Sequence, residues 1–209
     1  MRSGLARAGV ASDVAVHLTG MGPAEAEAAA DALLAAGSAP RRVVVAGLCG
    51  ALSPALHVGD VLFYSTLRDA DGEPASTDAA LTARLLDRVP GAQSGIRALG
   101  SALVVIDAAE KAVLARRYDV DAVDMESLTL VGTLSAAGSA VAVLRVVSDG
   151  VEDDLPDLNA AMEAEGAAAA RAVLTAVFQR PGASLRMARN GIRALGALTR
   201  AMHLAAWTR

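Results

Sequence analysis

The stretch "AVDMESLTLVGTLSAAGSAVAVLRVVSD", residues 122–149, decides the fold class of this chain. It joins the end of a short apolar segment to a helical stretch at 126–137 and then to a long β-branched run. A strand, a helix and a second strand in close succession are typical of an α/β domain. Each apolar segment is followed by an acid, Glu126 in the first case and Asp149 in the second.

Similar alternation extends over most of the chain, so we predict a three-layer α/β/α fold around a mixed, largely parallel sheet. The predicted strands are 14–18, 41–50 running into a glycine turn at Gly47-Leu48-Cys49-Gly50, 58–67, 102–107, 120–125 and 140–149. The predicted helices are 24–36 after Pro23, 108–117, 126–137, 160–178 and 184–206, with a loop at 69–79.

Composition excludes several classes of protein. The 209 residues are enough for one ordinary domain, and with only 2% aromatic residues the chain offers no stacking platform for nucleic acid. A single cysteine excludes an internal disulfide, and three scattered histidines argue against a structural metal site. No signal segment or membrane-spanning run is evident, so a cytoplasmic protein is predicted.

Charge is distributed unevenly along the chain. From Arg180 onward there are six arginines and no acids, which leaves 13 basic against 23 acidic residues, a net charge of −10, on the remainder. We therefore divide the chain into a main domain, 1–180, and a basic amphipathic tail, 181–209. Apolar residues recur in the tail at helical spacing; they are Leu185, Ile192, Leu195, Leu198 and Met202. Helix 184–206 either lies on an anionic membrane surface or packs on its own domain or a subunit contact.

Acids at strand ends have two interpretations. In open α/β sheets, ligands bind beyond the carboxyl ends of the strands, where Glu126 and Asp149 are expected. Alternatively, Glu126 caps the helix that follows it, and Asp149-Gly150 forms a simple turn. Arg145 is expected to form ordinary ion pairs.

The order of these motifs resembles the nucleoside phosphorylase and nucleosidase superfamily, which includes purine nucleoside phosphorylases and methylthioadenosine/S-adenosylhomocysteine nucleosidases. "AVDMES", then a helix and "RVVSDG", is similar to the family's signature, and "VVVAGLCGALSPALHVGDVLFYSTL" is similar to its glycine-rich strand and following strand. The resemblance covers residues 14–178 and implies cleavage of the N-glycosidic bond of a purine nucleoside, by phosphate or by water.

The resemblance also implies roles for individual residues. Glu126 would bind the ribose 2′ and 3′ hydroxyls, Met125 would pack on the sugar, and Asp149 would act as the acid at the leaving purine, an arrangement suited to an oxocarbenium-like transition state. An acid of this kind has to be kept protonated, for which an apolar setting and a second carboxylate nearby are expected. Further substrate-binding residues are predicted at Ser148, Gly47, Cys49 and Gly50.

Two departures from the family pattern are apparent. Segment 14–18 resembles the family's second segment, which implies that the family's first strand has no counterpart here, and the attacking water or phosphate is not assigned to a residue. Leu48 stands where the family often has Ser or Thr, which argues against an ordinary phosphate pocket. Cys49 is either a nucleophile or, more in keeping with the absence of a histidine partner, a packing residue.

The aliphatic Leu48, the "AEKAVLARR" segment and the arginine-rich tail look most like the hopanoid-associated branch of the family, which implies release of adenine from adenosylhopane. We expect no metal or organic cofactor, inorganic phosphate as co-substrate if the reaction is phosphorolysis, and a homo-oligomer. The alternatives are a non-catalytic nucleoside-binding or regulatory module and a peripheral membrane protein. The "TGMG" segment, 19–22, is predicted to be a plain strand-to-helix turn.

Overall fold

The computed structural model of the protein describes residues 14–37, 39–72, 74–162, 164 and 166–206. In chain order the elements are α1 Pro23–Ala35, β1 Arg42–Ala51, β2 Val61–Arg68, β3 Ala75–Ser76, α2 Ala79–Leu86, β4 Gln93–Gly100, α3 Ala108–Tyr118, β5 Ala122–Asp124, α4 Ser127–Ala136, β6 Ala140–Asp149, α5 Asn159–Met162, α6 Gly166–Gln179 and α7 Pro181–Ala206.

A six-stranded mixed sheet forms the centre, in the order β3-β2-β4-β5-β1-β6. The pairs β1–β6, β2–β4 and β4–β5 are parallel, whereas β1–β5 and β2–β3 are antiparallel. In addition, the terminal strand β6 pairs antiparallel with β2, the strand next to the opposite edge, so the sheet closes on itself. The predicted α/β class is confirmed, and closure is a feature that periodicity did not indicate.

Helices cover both faces of the sheet. Residues of β6 alternate, with Val141 and Val143 in the cluster that contains α1 and α4, and Ala142 and Leu144 in the cluster that contains α2 and α7. This alternation follows from the period of two along a strand, and it explains why β6 is apolar on both faces over its first half, Ala140–Leu144.

Three element predictions were wrong. Residues 14–18, which were predicted to form a strand from the alternation in their sequence, are exposed and pair with no described strand. The strand near residue 100 is β4, whereas 102–107 connects it to α3. Glycines and polar side chains in β4 hide its strand character, because its packing partners come from distant segments. The glycine turn at 47–50 is also absent, since β1 continues through these residues.

Helix α7 packs on the sheet through an alanine face. The buried residues are Ala194, Ala197, Ala201 and Ala205, which lie in one cluster with β6 and α2. The predicted apolar set lies largely elsewhere on the helix, since Leu185 is 65% and Ile192 74% exposed. Small residues allow close approach of the helix to the strands, whereas Leu185, Ile192, Leu195 and Leu204 are exposed and Leu198 is partly buried against the same cluster. No helix of the described residues is long and apolar enough to cross a membrane.

We predict that Ala201→Leu lowers the free energy of unfolding by about 1–3 kcal/mol, because three added carbons have no space against β6. Ala188→Leu is the matched control, since Ala188 is exposed on the same helix. Its effect should stay within about 0.5 kcal/mol. Urea unfolding measures both, and equal destabilisation would contradict the packing described.

Candidate functional site

The strand ends that carry the two predicted acids flank the end of β1. Gly50 pairs with Val123 of β5 on one side and with Asp149 of β6 on the other. However, β5 is parallel to β4 but antiparallel to β1, whereas β6 is parallel to β1. The strands that lead to Glu126 and Asp149 therefore run in opposite directions beside β1, contrary to the expectation that both acids follow parallel strands. Ser148 has no partner in the β1–β6 ladder, which jumps from Cys49–Val147 to Gly50–Asp149. This bulge redirects the side chain of Asp149.

Glu126 is held by two donors from distant elements. Its Oε1 accepts a hydrogen bond from the Gly22 backbone N–H at 2.9 Å, and its Oε2 accepts one from Arg145 Nη2 at 3.2 Å. The side chain is 14% exposed. A carboxylate offers about four acceptor sites, so roughly two remain for other donors.

The helix-capping interpretation of Glu126 does not hold for its side chain. Asp124 satisfies the start of α4 instead, because its Oδ1 accepts hydrogen bonds from the backbone N–H groups of Glu126 at 3.1 Å and Ser127 at 2.9 Å. The Glu126 carboxylate makes no capping bond. The Glu126 carboxylate is therefore not engaged by the helix end, and its role in binding a ligand stays a prediction.

Arg145 joins this cluster from β6 and is almost completely buried. Its Nε lies 3.1 Å from Asp124 Oδ2, its Nη2 donates to Ser127 Oγ at 2.8 Å, and its Nη1 donates to the Leu48 carbonyl at 3.2 Å. Burial lowers the pKa of the guanidinium, but neighbouring groups, above all the Asp124 carboxylate, outweigh it and raise that pKa above its usual value. The expected ion pairing of Arg145 is thus observed.

Asp149 is buried at the end of β6 and contacts a cation that the sequence analysis missed. Lys111 Nζ of α3 lies 2.5 Å from Asp149 Oδ2. The Ser148 hydroxyl lies 2.8 Å from Asp149 Oδ1 and 3.1 Å from the Cys49 carbonyl, and its single hydrogen can serve one of them at a time. The direct charge partner of Asp149 is thus a lysine, and the expected second carboxylate nearby stays a prediction.

The predicted site glycines make room for these side chains. A Cβ at Gly47 would overlap Arg145 Nη1, and one at Gly50 would lie 2.9 Å from Asp149 Oδ2. Both are strand residues beside their β6 partners, so their lack of a side chain lets Arg145 and Asp149 cross the sheet surface. Their expected role in approaching sugar or phosphate stays a prediction.

Cys49 is a packing residue within the core. Its side chain is 4% exposed, and burial raises the pKa of the thiol to about 12, although a contact with the Tyr64 hydroxyl acts in the opposite direction. A thiol that stays neutral at physiological pH is a poor nucleophile. Substrate contact at Cys49 would therefore involve its backbone, whose carbonyl already faces Ser148.

Met125 lies close to the turn that precedes α1. A Cβ placed on Gly22 would be 3.9 Å from the Met125 methyl group and 3.8 Å from that of Met162. Gly20 and Gly22 of the "TGMG" segment have positive φ angles of 88° and 95°. This turn thus positions the Gly22 N–H on Glu126, a role that the motif alone did not indicate.

Two open concavities lie away from these residues. One, of about 520 Å³, is lined by Arg41, Arg42, Arg84 and Ala140, and the other, of about 350 Å³, by part of α7. Neither includes Glu126 or Asp149. A cavity shared by the two acids therefore stays a prediction.

We predict that Gly47→Ala lowers the free energy of unfolding by about 1–3 kcal/mol, because the added methyl group displaces the buried Arg145 guanidinium. Gly132→Ala is the control, since Gly132 lies in α4 with no atom within 4 Å of an added Cβ. It should raise stability by about 0.5–1 kcal/mol. Thermal or urea unfolding distinguishes the two, and a harmless Gly47→Ala would contradict the tight passage of Arg145.

Comparison with solved structures shows the same fold in several nucleosidases. The S-adenosylhomocysteine nucleosidase of Streptococcus pyogenes in complex with 5-methylthiotubericidin is 15% identical, with a TM-score of 0.66 over 90% of this chain and 75% of that one. Futalosine hydrolase of Helicobacter pylori is 16% identical, with a TM-score of 0.58 over 83% and 76% of the two chains.

A third similar structure is the D-to-N mutant of the Helicobacter pylori nucleosidase MTAN with 5′-methylthioadenosine in its active site, which is 14% identical with a TM-score of 0.62 over 88% of this chain and 78% of that one. A comparison with curated protein sequences gives no match. The family model described as the phosphorylase superfamily, however, matches residues 3–179. The protein therefore belongs to the phosphorylase superfamily.

Proposed function

We propose that the protein cleaves the N-glycosidic bond of a purine nucleoside of the adenosine type. The observation that carries the proposal is the placement of Glu126 and Asp149 on either side of the end of β1, each held by a buried cation. Family membership supports the same class of reaction, since the similar structures include nucleosidases.

Charge differs between the two ends of the proposed site. At the Glu126 end, one guanidinium faces two carboxylates, those of Asp124 and Glu126. At the Asp149 end, one ammonium faces one carboxylate. Bond cleavage develops positive charge on the sugar and negative charge on the leaving base. An excess of carboxylates beside the sugar therefore favours the transition state over the neutral substrate.

Glu126 is proposed to bind the ribose. Its remaining acceptor sites can take the 2′ and 3′ hydroxyl hydrogens, while Gly22 and Arg145 keep the carboxylate oriented. Asp149 is proposed to act at the leaving purine, with the Ser148 hydroxyl beside Oδ1. Gly50 lies between them, and Met125 lies next to the Gly22 turn.

The residues around Glu126 favour water over phosphate as the attacking group. The Arg145 guanidinium contacts two carboxylates, the Ser127 hydroxyl and the Leu48 carbonyl, so its charge is already committed. Leu48 also supplies no hydroxyl. Hydrolysis is therefore the first alternative to test, and phosphorolysis the second.

The specific substrate that we propose is adenosylhopane, which the resemblance to the hopanoid-associated branch implies. Because this substrate is a lipid, contact between α7 and a lipid surface would support the proposal. We define the outward face of α7 as Leu185, Arg189, Ile192, Leu195 and Arg200, which are exposed apolar and basic side chains. In the described part of the chain, Arg189 and Arg200 make no hydrogen bond or ion pair. The alternative occupant is a second copy of the chain, in keeping with the expected homo-oligomer.

A nucleoside-binding module without activity is the second candidate function. It is favoured by the two ion pairs, since carboxylates already engaged by Arg145 and Lys111 could serve recognition alone. Binding of adenine or adenosine without turnover would identify it.

We predict that the wild-type protein releases adenine from adenosine-type nucleosides and that the folded Asp149→Asn variant has a turnover lower by roughly 10²–10⁴-fold. Adenine release is measured with and without inorganic phosphate, and acceleration by phosphate would indicate phosphorolysis. The control is Asp69→Asn, a change of the same kind in an exposed loop. Full activity of Asp149→Asn would remove this residue from the proposed mechanism.

We predict that Arg189→Gln with Arg200→Gln weakens binding to anionic vesicles by about 2 kcal/mol, roughly 30-fold. Deletion of the tail is unsuitable, because the alanine face of α7 belongs to the core. The matched control is Arg41→Gln with Arg42→Gln, which removes the same charge from exposed positions at the start of β1. Equal sedimentation of both double variants with anionic vesicles would exclude the lipid contact, and a loss of self-association would indicate a subunit interface.

A further inference from the structure

Lysine occurs once in this chain. Among 19 basic residues, 18 are arginines, and the single lysine is Lys111. Its position is unusual too, because it is 0% exposed and is the buried residue of α3. A fully buried lysine needs a partner for its charge, so its contacts indicate what it does.

The Lys111 ammonium group uses all three of its hydrogens on one short segment. Its Nζ contacts Asp149 Oδ2 at 2.5 Å, the Gly150 carbonyl at 2.9 Å and the Asp153 carbonyl at 3.1 Å. These partners comprise the last residue of β6 and the turn that follows it. Lys111 therefore ties the candidate acid Asp149 and its supporting backbone to α3.

The geometry requires an ammonium rather than a guanidinium. Three acceptors around one point match the compact ammonium, whereas the planar fork of arginine places its donors farther apart. A buried ion pair is, in addition, often no more stable than an apolar pair of similar volume. Stability alone therefore gives little reason for this contact, and its place on Asp149 suggests a role in the reaction.

We propose that Lys111 is a positioning residue that fixes which oxygen of Asp149 faces the leaving base. Oδ2 is occupied by Nζ and lies against the backbone of Gly50, where even a Cβ would be only 2.9 Å away. Oδ1, with the Ser148 hydroxyl at 2.8 Å, is the oxygen left for the purine. This inference rests on the proposed function, and it assigns the orientation of its acid to a residue outside the β-sheet.

The turn at 150–153, whose carbonyls accept from Lys111, is held by further contacts. The Gly150 N–H donates to Asp153 Oδ2 at 2.8 Å, and Arg186 of α7 pairs with Asp153 Oδ1 at 2.8 Å. The turn that presents its carbonyls to Lys111 is thus fixed from α7 as well. Loss of Lys111 should release the carboxylate of Asp149 while leaving the turn in place.

A double-mutant cycle with Asp149 tests the proposal. Lys111→Met should lower kcat by about 10²-fold, because the acid loses its direction, with little change in KM. In the Asp149→Asn background, the same substitution should change kcat by less than about 3-fold, since Lys111 acts through Asp149. Lys111→Arg keeps the charge but not the three contacts, and it should fall between wild type and Lys111→Met.

Arg97→Met is the matched control, because Arg97 is also paired with carboxylates, those of Asp119 and Asp121, and neither of these is a proposed site residue. It should retain wild-type kcat. Urea unfolding of every variant checks the fold. If Lys111→Met alone fails to fold, the double variant, which leaves no unpaired charge, is compared with Asp149→Asn instead.

Each outcome decides the proposal. An active wild type with unchanged kcat in Lys111→Met, or an equal loss in both backgrounds, would overturn the role of Lys111 and leave the proposed function standing. If the fallback comparison is used, a Lys111→Met/Asp149→Asn double variant much less active than Asp149→Asn would also overturn the role of Lys111. A wild type that neither binds nor cleaves purine nucleosides would overturn both. A loss of kcat that occurs when Asp149 is intact, and not in the Asp149→Asn variant, establishes Lys111 as the positioning residue of Asp149.

Discussion

The site depends on the ion pairs that the buried Arg145 guanidinium makes with Asp124 and Glu126. The guanidinium lies between Asp124 and Glu126 and reaches the Leu48 carbonyl across β1, so it joins β5, α4, β1 and β6 at one point. Two carboxylates near each other in a core would repel without a cation between them. Removing Arg145 would therefore leave uncompensated charge in the core, which usually costs about 3–5 kcal/mol.

Space for Arg145 and Asp149 comes from residues that lack side chains. Gly47 pairs with Arg145 and Gly50 pairs with Asp149 in the β1–β6 ladder, so each glycine lies beside the polar residue it accommodates. The Ser148 bulge then turns the end of β6 so that Asp149 meets Lys111. A strand that is apolar over most of its length thus carries two charged side chains without disturbing its packing.

Helices and the turn before α1 supply further donors to the two acids, in addition to Arg145 of the sheet. The turn before α1 brings the Gly22 N–H to Glu126, and α3 brings Lys111 to Asp149. Helix α7 contributes through Arg186, which holds Asp153 beside that lysine. The basic C-terminal helix α7 therefore stabilises the turn after β6 through Arg186, independently of what its outward face contacts.

Local patterns in the sequence determined the α/β class, the long strand β6, the helix α4 and the acids at the ends of β5 and β6, because periodicity and glycine punctuation act over short distances. They also led to the superfamily. Tertiary structure alone decided the closure of the sheet, the strand character of β4, the antiparallel course of β5, and the pairing of Glu126 with Arg145 and of Asp149 with Lys111. The physical reason is that these features depend on which residues meet across 19 to 104 positions of chain. The single lysine was visible in the composition, but its significance required knowing that its ammonium group is buried against one carboxylate.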